Sequence, residues 1–252
     1  MSEDKQAHHQ RIAAILRRMN SDVLEKTECV FGGGTAIALQ INEFRLSTDI
    51  DFLCASQEGY RMLRGLVDQY SITGLSRLFN EPVAQLREVR ADRYGIRAVL
   101  EFDNTPVKFE IVREDRIGLD PPSKHLHGVP LISRDDAYAE KMLANSDRWG
   151  DIAVLSRDVL DIAAMIQVWG LIPLEAENKA YQAYGSTIIK DLQSAARLLL
   201  DKPNYREKAF RELSVEPIIQ SNLVSTLECL RLGGGLESSP HNITEIPMPS
   251  CR

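Results

Sequence analysis

Asp49 and Asp51 are separated by a single apolar residue in the stretch LSTDIDF, and three consecutive glycines, 32–34, precede them. Because successive side chains of a strand point to opposite faces, carboxylates at positions i and i+2 project from the same face. Two such carboxylates can bind hard divalent cations such as Mg²⁺, which prefer oxygen ligands. The spacing therefore predicts a metal-binding face that carries Asp49 and Asp51.

A third acid is expected on a neighbouring strand, because sites with two Mg²⁺ ions use several carboxylates to activate an attacking oxygen and to neutralise a leaving group. In PVKFEIVR, Glu110 shares the polar face of its segment with Lys108, while Val107, Phe109 and Ile111 share the other. Glu110 is therefore the preferred third acid. Asp103 and Glu101 remain alternatives.

The glycines predict a phosphate-binding turn. An apolar strand, ECVF, runs into Gly32–Gly34, and the helical pattern TAIALQI follows. A glycine turn at a helix N-terminus lets a phosphate approach the unpaired N–H groups, and the helix dipole favours its negative charge. No GK[ST] follows the glycines, and the third glycine of a dinucleotide fingerprint is missing. A nucleoside triphosphate held by this turn and by the metal ions accounts for both features.

The elements that must position these residues are a mixture of strands and helices in the first half of the chain. Hydrophobic periodicity predicts helices over 3–26 and 57–70, and strands over 28–31, 46–55, 96–103 and 106–113, with a turn at Asn104 and Thr105. From about residue 133 the period is helical throughout. The pattern predicts an α+β fold with a core domain over 1–130, a helical domain over 131–232 and a disordered tail over 233–252.

Composition restricts the class of protein. With 252 residues, 44% of them hydrophobic, the chain can build a substantial core, and no apolar run reaches the ~20 residues of a membrane span. Four scattered cysteines and the absence of a secretory pattern predict a cytoplasmic protein that does not interact with membranes. A net charge of −6 argues against nonspecific coating of nucleic acid. Seven arginines lie within 61–97, and the acids among them favour a solvated, mixed-charge surface.

Four segments in order resemble the AbiEii-type toxins of the nucleotidyltransferase superfamily. The segments are GGGTAIAL, RLSTDIDF, AEKMLANSDRW and SRDVLDIAAM, within residues 30–166. The resemblance implies a small mixed β-sheet of the nucleotidyltransferase type with flanking helices, followed by a helical region. It also implies transfer of a nucleoside monophosphate from a nucleoside triphosphate to an acceptor, which in relatives can be the 3′ end of tRNA. The antitoxin of a toxin–antitoxin pair is the implied protein partner.

The resemblance also implies roles for individual residues. Gly33 and Gly34 hold the phosphates, and the Thr35 hydroxyl adds a contact. Asp49, Asp51 and Glu110 bind the metal ions. Lys141 corresponds to the lysine of the family and neutralises triphosphate charge, and Asp158 corresponds to the downstream aspartate, which acts on the acceptor or organises the lysine. These five charged residues are the predicted catalytic set.

Other functions are also compatible with these residues. The acceptor can be an RNA or a protein, or a small molecule as in the nucleotidyltransferases that inactivate aminoglycosides. A third interpretation is a noncatalytic member that binds a nucleotide or a partner protein. Label transfer from nucleoside triphosphates separates the two enzymatic interpretations from the noncatalytic one. Competition between acceptors separates an enzyme that acts on RNA or protein from one that acts on a small molecule.

Overall fold

The structure, a computed structural model, describes residues 3–238. Within that range the chain forms two compact units. One comprises the residues up to Leu39 together with Ser47–Ser133, and the other comprises Gln40–Leu46 and the residues from Arg134 onward. The division at Ser133 lies close to the predicted domain boundary at 130. The grouping of Gln40–Leu46 with the helical unit is a tertiary feature that no local pattern indicates.

The strands of the first unit form one mixed sheet. Among the described residues there are eight strands: β1 (Cys29–Gly32), β2 (Ile50–Cys54), β3 (Ala84–Gln85), β4 (Arg90–Ala91), β5 (Gly95–Phe102), β6 (Thr105–Arg113), β7 (Lys124–Leu126) and β8 (Val129–Leu131). Their order is β3-β5-β6-β2-β1-β8-β7, with β4 also paired to β5. β2 is antiparallel to β1 and parallel to β6. The α+β prediction is confirmed, and β3, β4, β7 and β8 are short strands that periodicity did not predict.

One face of this sheet is apolar. The rings of Phe31, Phe52 and Phe109, from three adjacent strands, follow one another at centroid distances of 5.5 and 5.9 Å and are at most 1% exposed. Burying each ring stabilises the fold by roughly 1.5–3 kcal/mol. Because side chains alternate along a strand, burial of Phe52 and Phe109 directs their neighbours Asp51 and Glu110 to the opposite face. The core thus determines which face carries the acids.

The turn of the β5–β6 hairpin sets which residues of the two strands lie opposite each other. Its turn consists of Asp103 and Asn104, both with positive φ, a conformation that Asp and Asn tolerate better than most residues. The predicted turn at Asn104 and Thr105 lies one residue further along the chain. The observed turn pairs Arg97 with Glu110 across the hairpin.

Four α-helices begin in the described part of the first unit: α1 (Glu3–Arg17), α2 (Ser21–Lys26), α3 (Gly33–Gln40) and α4 (Gln57–Leu66). The single helix predicted over 3–26 is divided in two. Asn20 is the N-cap residue of α2, since its side-chain oxygen accepts a hydrogen bond from the Val23 N–H at 3.2 Å.

The second unit is helical in its described part. It contains α5 (Arg134–Arg148), α6 (Arg157–Trp169), α7 (Leu174–Tyr184), α8 (Thr187–Asp201), α9 (Pro203–Glu212) and α10 (Pro217–Arg231). Pro203 and Pro217 each stand at the first position of a helix, where the missing N–H costs nothing. Across residues 3–238, no helix combines the length and the hydropathy of a membrane span.

The predicted disordered tail, 233–252, falls mainly on residues that lie outside the described range. Its first part, 233–238, makes a short parallel bridge in which Leu236 pairs with Ile172. Leu236 is 4% exposed, so this part of the tail packs on the helical unit.

Candidate active site

The predicted acids of the first unit line one cavity. Asp49, Asp51 and Glu110 contribute to the wall of an open cavity of about 800 Å³. Asp51 and Glu110 are Cα partners on the adjacent parallel strands β2 and β6. Asp49 immediately precedes β2, which begins at Ile50 rather than within the longer strand predicted over 46–55. The structure therefore brings all three acids to the same cavity.

The glycine turn lies directly against one of these acids. Gly32 ends β1 as the partner of Asp51, and Gly33 begins α3 with a φ of +67°. A Cβ atom on Gly33 would lie 2.5 Å from Asp51 Oδ2, closer than side chains tolerate. Glycine is required at position 33 for two reasons, the left-handed backbone and the approach of the carboxylate. The turn, the helix N-terminus and Asp51 therefore form one local arrangement.

Thr35 contributes to the site through Asp49. Its hydroxyl is fully buried and donates a hydrogen bond to the Asp49 carbonyl at 2.5 Å, and it lies 2.9 Å from the Ser47 hydroxyl. These bonds link the first turn of α3 to the residues before β2. The expected hydroxyl contact to phosphate stays a prediction, whereas positioning of the Asp49 backbone is directly visible.

Glu110 forms a salt bridge with Arg97. Arg97 Nε lies 2.7 Å from Glu110 Oε1, and Arg97 Nη1 lies 3.3 Å from Asp92 Oδ2. In the part of the chain that the structure describes, no three His, Cys, Asp or Glu side chains are arranged to hold a metal as they stand. The donors in the cavity are nevertheless carboxylates, the ligands that a hard cation prefers. Asp49 and Asp51 fit such an ion in their chemistry, and Glu110 must first leave Arg97 to join them.

Lys141 and Asp158 belong to a buried charge network in the helical unit. Lys141 Nζ lies 3.0 Å from Asp158 Oδ1 and 2.7 Å from Asp161 Oδ2. Arg148 Nε lies 2.7 Å from Asp158 Oδ2, and Arg45 Nε lies 2.6 Å from Asp161 Oδ1. Three cations thus face two carboxylates, which leaves one positive charge in excess. A surplus cation in a buried network is suited to an anionic ligand.

The network also controls protonation. Burial would raise the pKa of Asp158, but the charges of Lys141 and Arg148 outweigh it and hold that pKa well below its usual range. Burial would likewise lower the pKa of Arg45, and the adjacent Asp161 reverses that effect. Asp158 is therefore a carboxylate rather than a carboxylic acid at neutral pH, able to accept hydrogen bonds and unable to donate a proton.

The sequence model of the nucleotidyl transferase AbiEii toxin family, of type IV toxin–antitoxin systems, matches residues 14–228. The chain belongs to this family. Membership makes it a nucleotidyltransferase of a toxin family, and it confirms the resemblance drawn from the four motifs. No curated protein matches the chain.

Two solved structures from Helicobacter pylori have a fold similar to that of this AbiEii-family enzyme. JHP933 from Helicobacter pylori is 14% identical, with a TM-score of 0.51 and coverage of 92% of this chain and 94% of that chain. A candidate nucleotidyltransferase from H. pylori is also 14% identical, with a TM-score of 0.50 and coverage of 92% and 97%. MenT4, a nucleotidyltransferase toxin from Mycobacterium tuberculosis, is 15% identical over 90% of this chain and 94% of its own, with a TM-score of only 0.34.

Several site residues of this AbiEii-family enzyme were missed in the sequence. Arg97 and Lys108 line the cavity with the acids, and Arg45 and Asp161 complete the helical network. Arg97 could have been found from the hairpin, because a turn at Asp103 and Asn104 places it opposite Glu110. Arg45 gave no comparable signal, since it contacts a residue more than a hundred positions away.

Proposed function

We propose that this enzyme transfers a nucleoside monophosphate from a nucleoside triphosphate to a hydroxyl group of RNA, with the 3′ end of tRNA as the preferred acceptor. The observation that carries the proposal is the contact between Gly33 and Asp51 in a cavity that also holds Asp49. A turn rich in N–H groups beside a pair of carboxylates matches a triphosphate with its divalent ions.

In the proposed reaction, the acceptor hydroxyl oxygen forms a bond to the α-phosphorus. The bond from that phosphorus to the oxygen bridging to the β-phosphate breaks, and pyrophosphate leaves. The acceptor proton passes to a cavity carboxylate. Bound Mg²⁺ ions would supply charge neutralisation at the leaving pyrophosphate and would lower the pKa of the attacking hydroxyl.

Each residue has an assigned part in this proposal. Asp49 and Asp51 hold the Mg²⁺ ions, and Glu110 is the third ligand once Arg97 releases it. Gly33 and Gly34 present backbone N–H groups to the triphosphate. In the helical unit, Lys141 and Asp158 are retained as candidate catalytic residues, because the network carries one positive charge that its own acids do not balance.

The family assignment also supports an antitoxin as the partner of this chain in the cell. A toxin of this kind is expected to slow growth when expressed alone. Asp49→Ala should relieve that toxicity if the nucleotidyl transfer causes it.

The direct test uses the purified chain with Mg²⁺, each of the four α-labelled nucleoside triphosphates, and total tRNA. Wild type should label tRNA, and Asp49→Ala should reduce labelling about 10³-fold, since losing a metal ligand removes several kcal/mol of transition-state stabilisation. Asp115→Ala is the matched control, because Asp115 is an exposed carboxylate of the same unit that does not line the cavity.

Protein extracts and aminoglycosides are offered as competing acceptors in the same assay. Labelling of either in preference to tRNA would replace the RNA acceptor by that class. A wild-type protein that labels nothing with any nucleotide, or an Asp49→Ala variant as active as wild type, would refute the proposed reaction.

A further inference from the structure

A second cavity of the first unit is lined by arginines. It has a volume of about 380 Å³, and its wall includes Arg61 and Arg64 from α4, Arg93 from the turn before β5, and Arg113 from the end of β6. No Asp or Glu contributes to the described wall. Three of these arginines come from the segment 61–97, whose sequence favoured a solvated surface of mixed charge. The fold instead gathers them in one wall and leaves the interspersed acids out of that wall.

Within the described residues, the charge of Asp92 acts on Arg64 at a distance, and carboxylates do not pair directly with the four arginines. Among residues 3–238, none of Arg61, Arg64, Arg93 and Arg113 forms an ion pair with a carboxylate. Asp92, which precedes Arg93 in the chain, accepts hydrogen bonds from the Tyr94 and Gly95 N–H groups and pairs with Arg97. Glu114, which follows Arg113, pairs with Arg116. Like charges gathered in a concavity repel one another. Such a cluster is stabilised by a ligand that brings several negative charges.

An exposed aromatic ring adjoins the arginines. Tyr94 follows Arg93 in the chain and is 56% exposed, and the Arg93 guanidinium lies 4.5 Å from the centre of its ring. An aromatic face beside arginines is the arrangement on which single-stranded nucleic acids stack their bases while their phosphates are neutralised. An acidic protein segment would use the charges but not the ring.

The turn that carries Arg93 also contacts a residue of the active-site wall. Arg97 reaches Asp92, the residue before Arg93, and also Glu110 in the active-site wall.

We propose that the cavity of Arg61, Arg64, Arg93 and Arg113 binds backbone phosphates of single-stranded RNA, with a base stacked on Tyr94. That the bound RNA is the acceptor of the reaction rests on the proposed function. That the cavity binds RNA does not depend on it. The site positions the strand and takes no part in the chemistry.

The test measures RNA binding without catalysis. A fluorescent single-stranded 12-nucleotide RNA is titrated, over a range of salt concentrations and without nucleotide, with full-length protein carrying Asp49→Ala. Adding Arg61→Gln and Arg64→Gln should weaken binding about tenfold, because each exposed charge contributes up to ~1 kcal/mol. The negative slope of log affinity against log salt concentration should become shallower by about 1.4, because each of the two lost phosphate contacts contributes ~0.7.

The matched control removes two exposed charges elsewhere in the same unit, by Lys26→Gln with Arg77→Gln. It should leave both the affinity and the salt slope unchanged. Tyr94→Ala should weaken binding several-fold, and Tyr94→Phe, which keeps the ring, should not.

Two results would overturn the site. One is an Arg61/Arg64 double variant that binds RNA with the affinity and salt slope of the control pair. The other is a polyglutamate peptide that displaces the RNA at equal charge concentration and binds more tightly, which would indicate an acidic protein partner. RNA binding is measured with the Asp49→Ala protein and does not depend on catalysis. If this protein binds RNA as expected but wild type transfers no label, that result would count against the proposed reaction alone.

Discussion

At the scale of single residues, Lys141 offers the clearest separation between catalysis and folding. Lys141→Met removes the surplus positive charge and leaves Arg45 and Arg148 opposite two carboxylates, so the free energy of unfolding should fall by only about 1–2 kcal/mol. If Lys141 neutralises developing charge on the triphosphate, label transfer should fall about 10²-fold or more. Thermal unfolding and label transfer, measured on the same preparation, check both expectations.

Lys179→Met provides the comparison. Lys179 Nζ lies 2.7 Å from the buried Asp136 Oδ1 in the same unit, and its removal takes one cation away from that carboxylate. This variant should lose more stability than Lys141→Met while keeping its activity per folded molecule. If Lys141→Met loses stability but keeps its turnover, Lys141 is a structural residue.

At the scale of the elements, α4 depends on one of its two glycines. A Cβ on Gly59 would lie 2.0 Å from the Thr27 carbonyl oxygen, whereas a Cβ on Gly65 would meet no atom within 4 Å. Gly59→Ala should therefore lower the free energy of unfolding by roughly 1–3 kcal/mol, because backbone must move apart. Gly65→Ala should raise it by about 0.5–1 kcal/mol through helix propensity.

Urea unfolding of the two alanine variants tests this difference within one helix. Equal effects of the two substitutions would mean that α4 does not pack on the Thr27 backbone at Gly59. The comparison is controlled by its design, since both changes add the same methyl group to the same helix.

At the scale of the whole molecule, acid should weaken the protein through Asp158. Its pKa is lowered in the folded state, so the carboxylate stabilises the fold above the unfolded pKa of about 4. That contribution decreases as the pH falls below about 4 towards the lower folded pKa. Asp158→Asn should cost about 3–5 kcal/mol at pH 7, because it leaves three cations, two of them buried, with one carboxylate.

Unfolding free energies at pH 7, 4 and 3 give the test. The difference between wild type and Asp158→Asn should narrow as the pH decreases from 4 to 3. A difference that stays constant over this range would show that Asp158 keeps the same protonation state in the folded and unfolded chains.

Much of the fold follows from the sequence because it depends on local periodicity. The helical period predicted from about residue 133 agrees with the position of α5 to α10, and Pro or Gly stands at a boundary of α6, α7, α9 and α10. The strands β3, β4, β7 and β8 were missed because two or three residues cannot show a period. Asp49, Asp51 and the glycine turn could be identified because their chemistry is encoded in neighbouring positions.

The sequence by itself determined the types of element, the family motifs and the face of each strand that carries acids. The tertiary structure alone decided that Arg45 closes a network with Asp161 and that four arginines converge in one cavity. Those contacts depend on which strands pair and on how distant segments pack. Local alternation fixes the direction of a side chain, but its partner is fixed only when separate parts of the chain are brought together.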